Sequence, residues 1–179
     1  MQVSTVRAWP IAALAVIGAT QPVEAQHEHV SEYAGVETSE IRSFTQQELD
    51  NLRNAAGMGL ARPAELNHYP GPKHVLEMAA ALGLDESQRS RIEGVQREMR
   101  EDAIGLGESI IEAERSLNQR FLHAHMDDQS LEAAVERVAA LSGKLRYVHL
   151  RAHLRTKAML TADQVQEYDR QRGYPPREE

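Results

Sequence analysis

Two long runs of apolar residues, each stepping by three and four, constrain this chain more than any other feature. The first run is Ile92, Val95, Met99, Ala103, Leu106, Ile110, Ala113, Leu117 and Phe121. The second is Leu131, Val135, Val138, Leu141, Leu145, Val148 and Ala152. Both average close to the helical period of about 3.6, so each lines one face of a helix. The spacing predicts one helix from just after Asp85 to about His125, roughly 40 residues and about 60 Å long. A second runs from about Leu131 to Ala158, with Asp127, Asp128 and Ser130 as the turn between them. Two adjacent helices with one apolar face each bury those faces most simply against one another. The expected fold is therefore all-α, a long antiparallel helical hairpin carrying shorter helices. No segment alternates with period two for long enough to predict a strand. Gly105 and Gly107 interrupt the first helix at about 1 kcal/mol each against alanine. They either permit a bend or a close backbone approach, or merely weaken a helix long enough to tolerate them.

Helix starts are written locally. Thr45 with Glu48, Asp85 with Gln88, and Thr161 with Gln164 have the spacing of capping boxes, in which cap and third residue bond each other's backbone. A short helix is expected over about 46–57, ending near Gly57 and Gly59. Pro63, Pro70, Gly71 and Pro72 mark residues 60–73 as an irregular crossing. His74–Leu82 reads as helical with Gly83 as its stop, and a last helix ends near Arg172, before Gly173 and Pro175. The organisation expected is a flexible polar arm over 26–44, a short helix and crossing over 45–73, the hairpin domain over 74–172, and a tail over 173–179.

Residues 1–25 read as a secretory signal. Arg7 provides positive charge, Ile11–Ala19 is apolar, and Val23-Glu24-Ala25 resembles a cleavage site. The apolar stretch is too short to span a bilayer, which takes about 20 residues. The expectation is a periplasmic protein cleaved near Ala25, with no transmembrane anchor. The chain has no cysteine, which excludes disulfides, cysteine zinc sites and thiol catalysis. Its net charge of −7 argues against nucleic-acid binding. No Gly-rich phosphate loop, HExxH or nucleophile signature is present, and a slender hairpin encloses little, so the chain is not expected to be an enzyme.

The chain has eight histidines. His149 and His153 stand four apart, a spacing that brings two imidazoles to one metal. With the turn near 127–128, facing positions sum to about 255 by this register, which sets 153 opposite 102 and 149 opposite 106. His149, His153, Asp102 and Glu101 are therefore the candidate metal ligands, for Zn, Ni, Co or Cu. Hydrogen bonding at a helix interface is the competing role for the same histidines. His27-Glu28-His29 and His123-Ala124-His125-Met126 are weaker metal candidates, and His68 and His74 flank the crossing. Glu114, between Ile110 and Leu117, is expected to approach the core. No cofactor is required by anything in the sequence.

The two segments Leu84-Asp85-Glu86-Ser87-Gln88 and Leu160-Thr161-Ala162-Asp163-Gln164 flank the hairpin and share one pattern. That arrangement resembles the Spy/CpxP family of periplasmic proteins, which carry paired Leu-Thr-x-x-Gln motifs. The second copy matches fully, and the first has Asp85 in place of threonine. The segment from Gly57-Met58-Gly59-Leu60 through Glu65-Leu66-Asn67 to Tyr69-Pro70-Gly71-Pro72 looks like a subgroup called periplasmic heavy-metal sensors. The resemblance implies a dimeric cradle that acts without ATP. It implies either a chaperone for unfolded envelope proteins or a modulator of envelope stress acting on a periplasmic sensor domain. It also implies, as the alternative, a metal sensor or buffer. The Spy cradle is basic, and this chain is net acidic.

Overall fold

The computed structural model describes residues 31, 33–35 and 41–175. The proposed signal, His27 and His29, most of the arm, and the last four residues lie outside them. Among the described residues six helices run in order: α1 (Gln46–Arg53), α2 (Arg62–Glu65), α3 (Pro72–Glu77), α4 (Glu86–Leu122), α5 (Asp128–Lys157) and α6 (Ala162–Arg172). No strand occurs among the described residues, and none of their helices is long and apolar enough to cross a membrane.

All three predicted capping boxes form. A fourth, Asp127 with Ser130, opens α5. The local chemistry thus fixes the start of every helix of eight residues or more. α5 and α6 end within a residue of expectation, whereas the ends of the earlier helices differ. α1 stops at Arg53, because Ala55 takes a left-handed conformation and Arg100 donates to the Asn54 carbonyl at 2.8 Å. α4 stops at Leu122, and Ala124 is left-handed. α3 begins at Pro72, whose fixed φ suits a first helical turn, and ends at Glu77. The segment read as irregular contains the single turn α2.

α4 and α5 form a long pair, and two apolar clusters hold the shorter elements to it. The first cluster joins Ile41 and Leu52 to Ala103, Ile110 and Ile111 of α4 and Leu145 and Val148 of α5. Ile41 is buried and Phe44 packs against the same cluster, so the end of the arm is docked chain despite its polar composition. The second cluster joins Val75 and Leu82 to Ile92 at the start of α4 and Tyr168 of α6. Gly107 sits where α1 crosses α4. A Cβ there would lie 2.9 Å from the Leu52 carbonyl carbon and closer still to its oxygen. Gly107 therefore permits a close backbone approach, whereas Gly105 faces open space.

Candidate functional site

The two motif segments meet. Gln88 closes its own capping box, accepting from the Asp85 backbone N–H at 3.1 Å, and Gln164 does the same for Thr161 at 2.9 Å. Their amides then pair reciprocally. Gln88 Nε2 donates to Gln164 Oε1 at 2.9 Å, and Gln164 Nε2 donates back to Gln88 Oε1 at 3.1 Å. Gln88 Nε2 also donates to the Met159 carbonyl at 2.9 Å. Gln88 is buried, so these bonds replace water that its amide cannot reach. One pair of side chains thus ties the start of α4 to the start of α6 and to the turn between α5 and α6.

A second polar cluster lies where the crossing meets α5 and α6. The Glu65 carboxylate accepts from the Tyr168 hydroxyl at 2.5 Å and the Tyr174 hydroxyl at 3.2 Å, with Arg172 at 3.5 Å. Burial, then the hydrogen bond and negative charge of Glu65, push the Tyr168 hydroxyl well above its ordinary pKa, so it remains a donor. Nearby, His68 Nδ1 lies 2.7 Å from Asp169 Oδ2. His68 is left-handed, a conformation that costs energy in a residue other than glycine and that this pairing helps to hold.

The candidate ligands divide between two sides of α5. Val148 and Ala152 face the packed seam. At about 100° per residue, 149 and 153 fall on one flank and 151 and 155 on the other. The flank turned to Asp102 carries the arginines. Arg151 bonds Asp102 at 2.9 Å and Glu98 at 3.2 Å, and Arg155 bonds Glu98 at 2.6 Å. The Arg155 hydrogen bond holds the Glu98 carboxyl below the usual carboxylate range. Glu101 and Asp102 are both exposed. The histidine flank instead faces the crossing. His153 Nδ1 donates to the Tyr69 carbonyl at 2.7 Å, and its ring lies against Gly71. Glu65 is 3.6 Å from the same nitrogen. His149 is buried, its Nε2 has no hydrogen-bond partner among the described residues, and burial followed by the charge of His153 lowers its pKa. The structure therefore brings His149 and His153 together but not to Asp102 or Glu101. Among the described residues no group of three or more His, Asp or Glu is arranged to hold a metal.

The far end of the long pair has a different character. Phe121, Leu122 and Val135 are 57%, 56% and 50% exposed, although Phe121 and Val135 belong to the apolar runs. His123 and His125 are exposed there, with ring centroids 6.3 Å apart. Glu114 stays half-buried and accepts from Ser43 at 2.8 Å.

Comparison with protein families, curated proteins and solved structures found no match to this chain. The geometry therefore carries the functional argument. Sequence reasoning missed Glu65, Tyr168 and Asp169 as partners. Glu65 lies between two prolines in a segment without periodicity, so no spacing rule pointed to it. Tyr168 left a fainter trace, as an aromatic residue three and four positions after Val165 and Gln164 in an otherwise polar helix.

Proposed function

We propose that this chain is a periplasmic holding protein of the Spy/CpxP type that acts without ATP and performs no catalysis. It shields unfolded envelope proteins or, through the same surface, engages a periplasmic sensor domain to modulate envelope stress. In this reading residues 1–25 direct export. α4 and α5 form an antiparallel hairpin, and two copies pair as a cradle. The short connection between α4 and α5 supports the hairpin, as do the contacts of Arg151 and Arg155 near the end of α5 with Glu98 and Asp102 in the first half of α4. One observation carries the functional reading. The apolar runs continue past the buried core, leaving Phe121, Leu122 and Val135 in solvent, where a protein with no apolar partner gains nothing from them. The test is light scattering from a reduced, unfolding client with stoichiometric mature protein. Suppression that weakens in Phe121→Ser/Val135→Ser supports the reading, and no suppression by the wild type removes it.

A second reading, a metal sensor or buffer, has one favourable observation. His149 Nε2 is buried and unpartnered beside His153. Native mass spectrometry with Zn, Ni, Co or Cu reports metal stoichiometry and dimerisation together. Equal metal uptake by wild type and His149→Ala/His153→Ala would end that reading.

A further inference from the structure

α6 is attached to the rest of the molecule in an unusual way. Helix backbones run close together between α4 and α5, between α1 and α4, between α3 and α4, and between α5 and each of α2 and α3. α6 approaches every other helix less than these pairs approach each other. It is held by side chains instead. Tyr168 is fully buried in the second apolar cluster, and its hydroxyl bonds Glu65. Asp169 bonds His68, and Gln164 bonds Gln88. An open groove of about 800 Å³ runs beside it, lined by His68, Leu160, Val165 and Asp169 among others. Apart from Tyr168 and Asp169 the helix buries none of its residues.

These facts set an asymmetry. When α6 leaves, it carries into water one fully buried aromatic ring, the half-buried Val165 and otherwise side chains that water solvates well. What it leaves behind is apolar. Val75, Leu82 and Ile92 lose the Tyr168 ring that covers them, and Leu76, Met78 and Leu84 border the same surface. The first cluster, which holds α1, α4 and α5, contains no residue of α6, so it does not depend on this helix.

We propose that α6 is a strap that opens as a unit while α4 and α5 stay folded, uncovering a methionine- and leucine-bordered apolar surface at the base of the long helix pair. As a site for client chains this surface rests on the holding function proposed above, but the opening itself does not. Glu65 is the buckle, since it collects Tyr168, Tyr174 and Arg172 from the strap and its immediate continuation. Gln88 and Gln164 are the hinge-side tie.

Hydrogen exchange with mass spectrometry on the full mature chain tests the opening. Amides of residues 165–172 are expected to exchange at least ten-fold faster than those of residues 103–111. Tyr168→Phe keeps the ring but removes the bond to Glu65. It should speed exchange in 165–172 by at least ten-fold, the worth of one hydrogen bond to a charged group, and leave 103–111 unchanged. Gln164→Ala should do the same from the other end of the helix. Coincident exchange of both segments in the wild type, or equal acceleration of both by Tyr168→Phe, would overturn the strap. Client aggregation assays on Tyr168→Phe separate the two ideas. Faster α6 exchange with unchanged or absent client protection removes the strap's role in holding clients and leaves its opening standing.

Discussion

Gly105 and Gly107 lie two residues apart in one helix, and the structure gives their alanine variants opposite signs. Gly105 is exposed, with nothing within 4 Å of the position a Cβ would take. Gly105→Ala should therefore add the propensity difference alone, about 0.5–1 kcal/mol of stability. Gly107 is buried against the backbone of Leu52, and a new Cβ would sit 2.9 Å from the carbonyl carbon. The obstacle is main chain and cannot rotate away. α1 must shift outward, and Leu52 and Ile41 then lose their fit in the first cluster. Overpacking of this kind costs about 1–3 kcal/mol, against the same propensity gain. The net expectation is a loss of up to about 2 kcal/mol, and the two variants should differ by the overpacking cost itself, about 1–3 kcal/mol. Urea denaturation followed by circular dichroism at 222 nm resolves that difference, and thermal midpoints should move apart by several degrees. If Gly107→Ala is as stable as Gly105→Ala, α1 does not approach α4 at Leu52, and this account of the crossing is wrong.

Gln88→Glu separates a simple cap from a junction. Glutamate completes a capping box as well as glutamine, so a cap-only role predicts no change. Here the lost amide donor leaves the Met159 carbonyl and Gln164 Oε1 facing a carboxylate, so chemical denaturation should report a loss of about 2 kcal/mol. His149 predicts a pH dependence. Its folded-state pKa lies below the ordinary 6.5, so the folded protein resists taking up a proton that the unfolded chain accepts. Stability from this group is complete above about pH 6.5 and falls as pH drops below it, by up to about 1.4 kcal/mol per pH unit. His149→Leu should flatten that part of the pH profile relative to wild type and, by removing an unpartnered buried nitrogen, should not lower stability at pH 8. An identical profile for both would show that His149 is not the group responsible. Gly71→Ala should destabilise by about 1–3 kcal/mol, because its Cβ would meet His153 Cε1 at 2.8 Å. In a double-mutant cycle His153→Ala should recover much of that loss, and strict additivity would contradict the contact.

What was legible in the sequence is what local chemistry decides. Capping boxes depend on residues three apart, and the three read from sequence formed as written. The long helices followed from periodicity, but position 153 was expected to face 102, and Asp102 bonds Arg151 instead. The flank was missed. A shift of two residues turns a helix by about 200°, enough to exchange a histidine face for an arginine face. The crossing over 60–73 was opaque for a different reason. Its course is set by long-range contacts, such as Tyr69 with His153 and Glu65 with Tyr168, which leave no period behind. α1 ended four residues early because a left-handed alanine terminates it, and alanine carries no signal for that conformation.

Buried residues stop at Ala113 on α4 and begin again at Leu145 on α5. Beyond those points the two helices carry no fully covered side chain for about 14 Å of α4 and about 25 Å of α5. Mechanically that stretch is a cantilever clamped at one end, stiff along its axis through backbone hydrogen bonds and compliant to sideways bending. Its reach is also the dimension freest to change. Adding seven residues to each helix there would extend it by about 10 Å while disturbing no buried side chain and no cap at the clamped end.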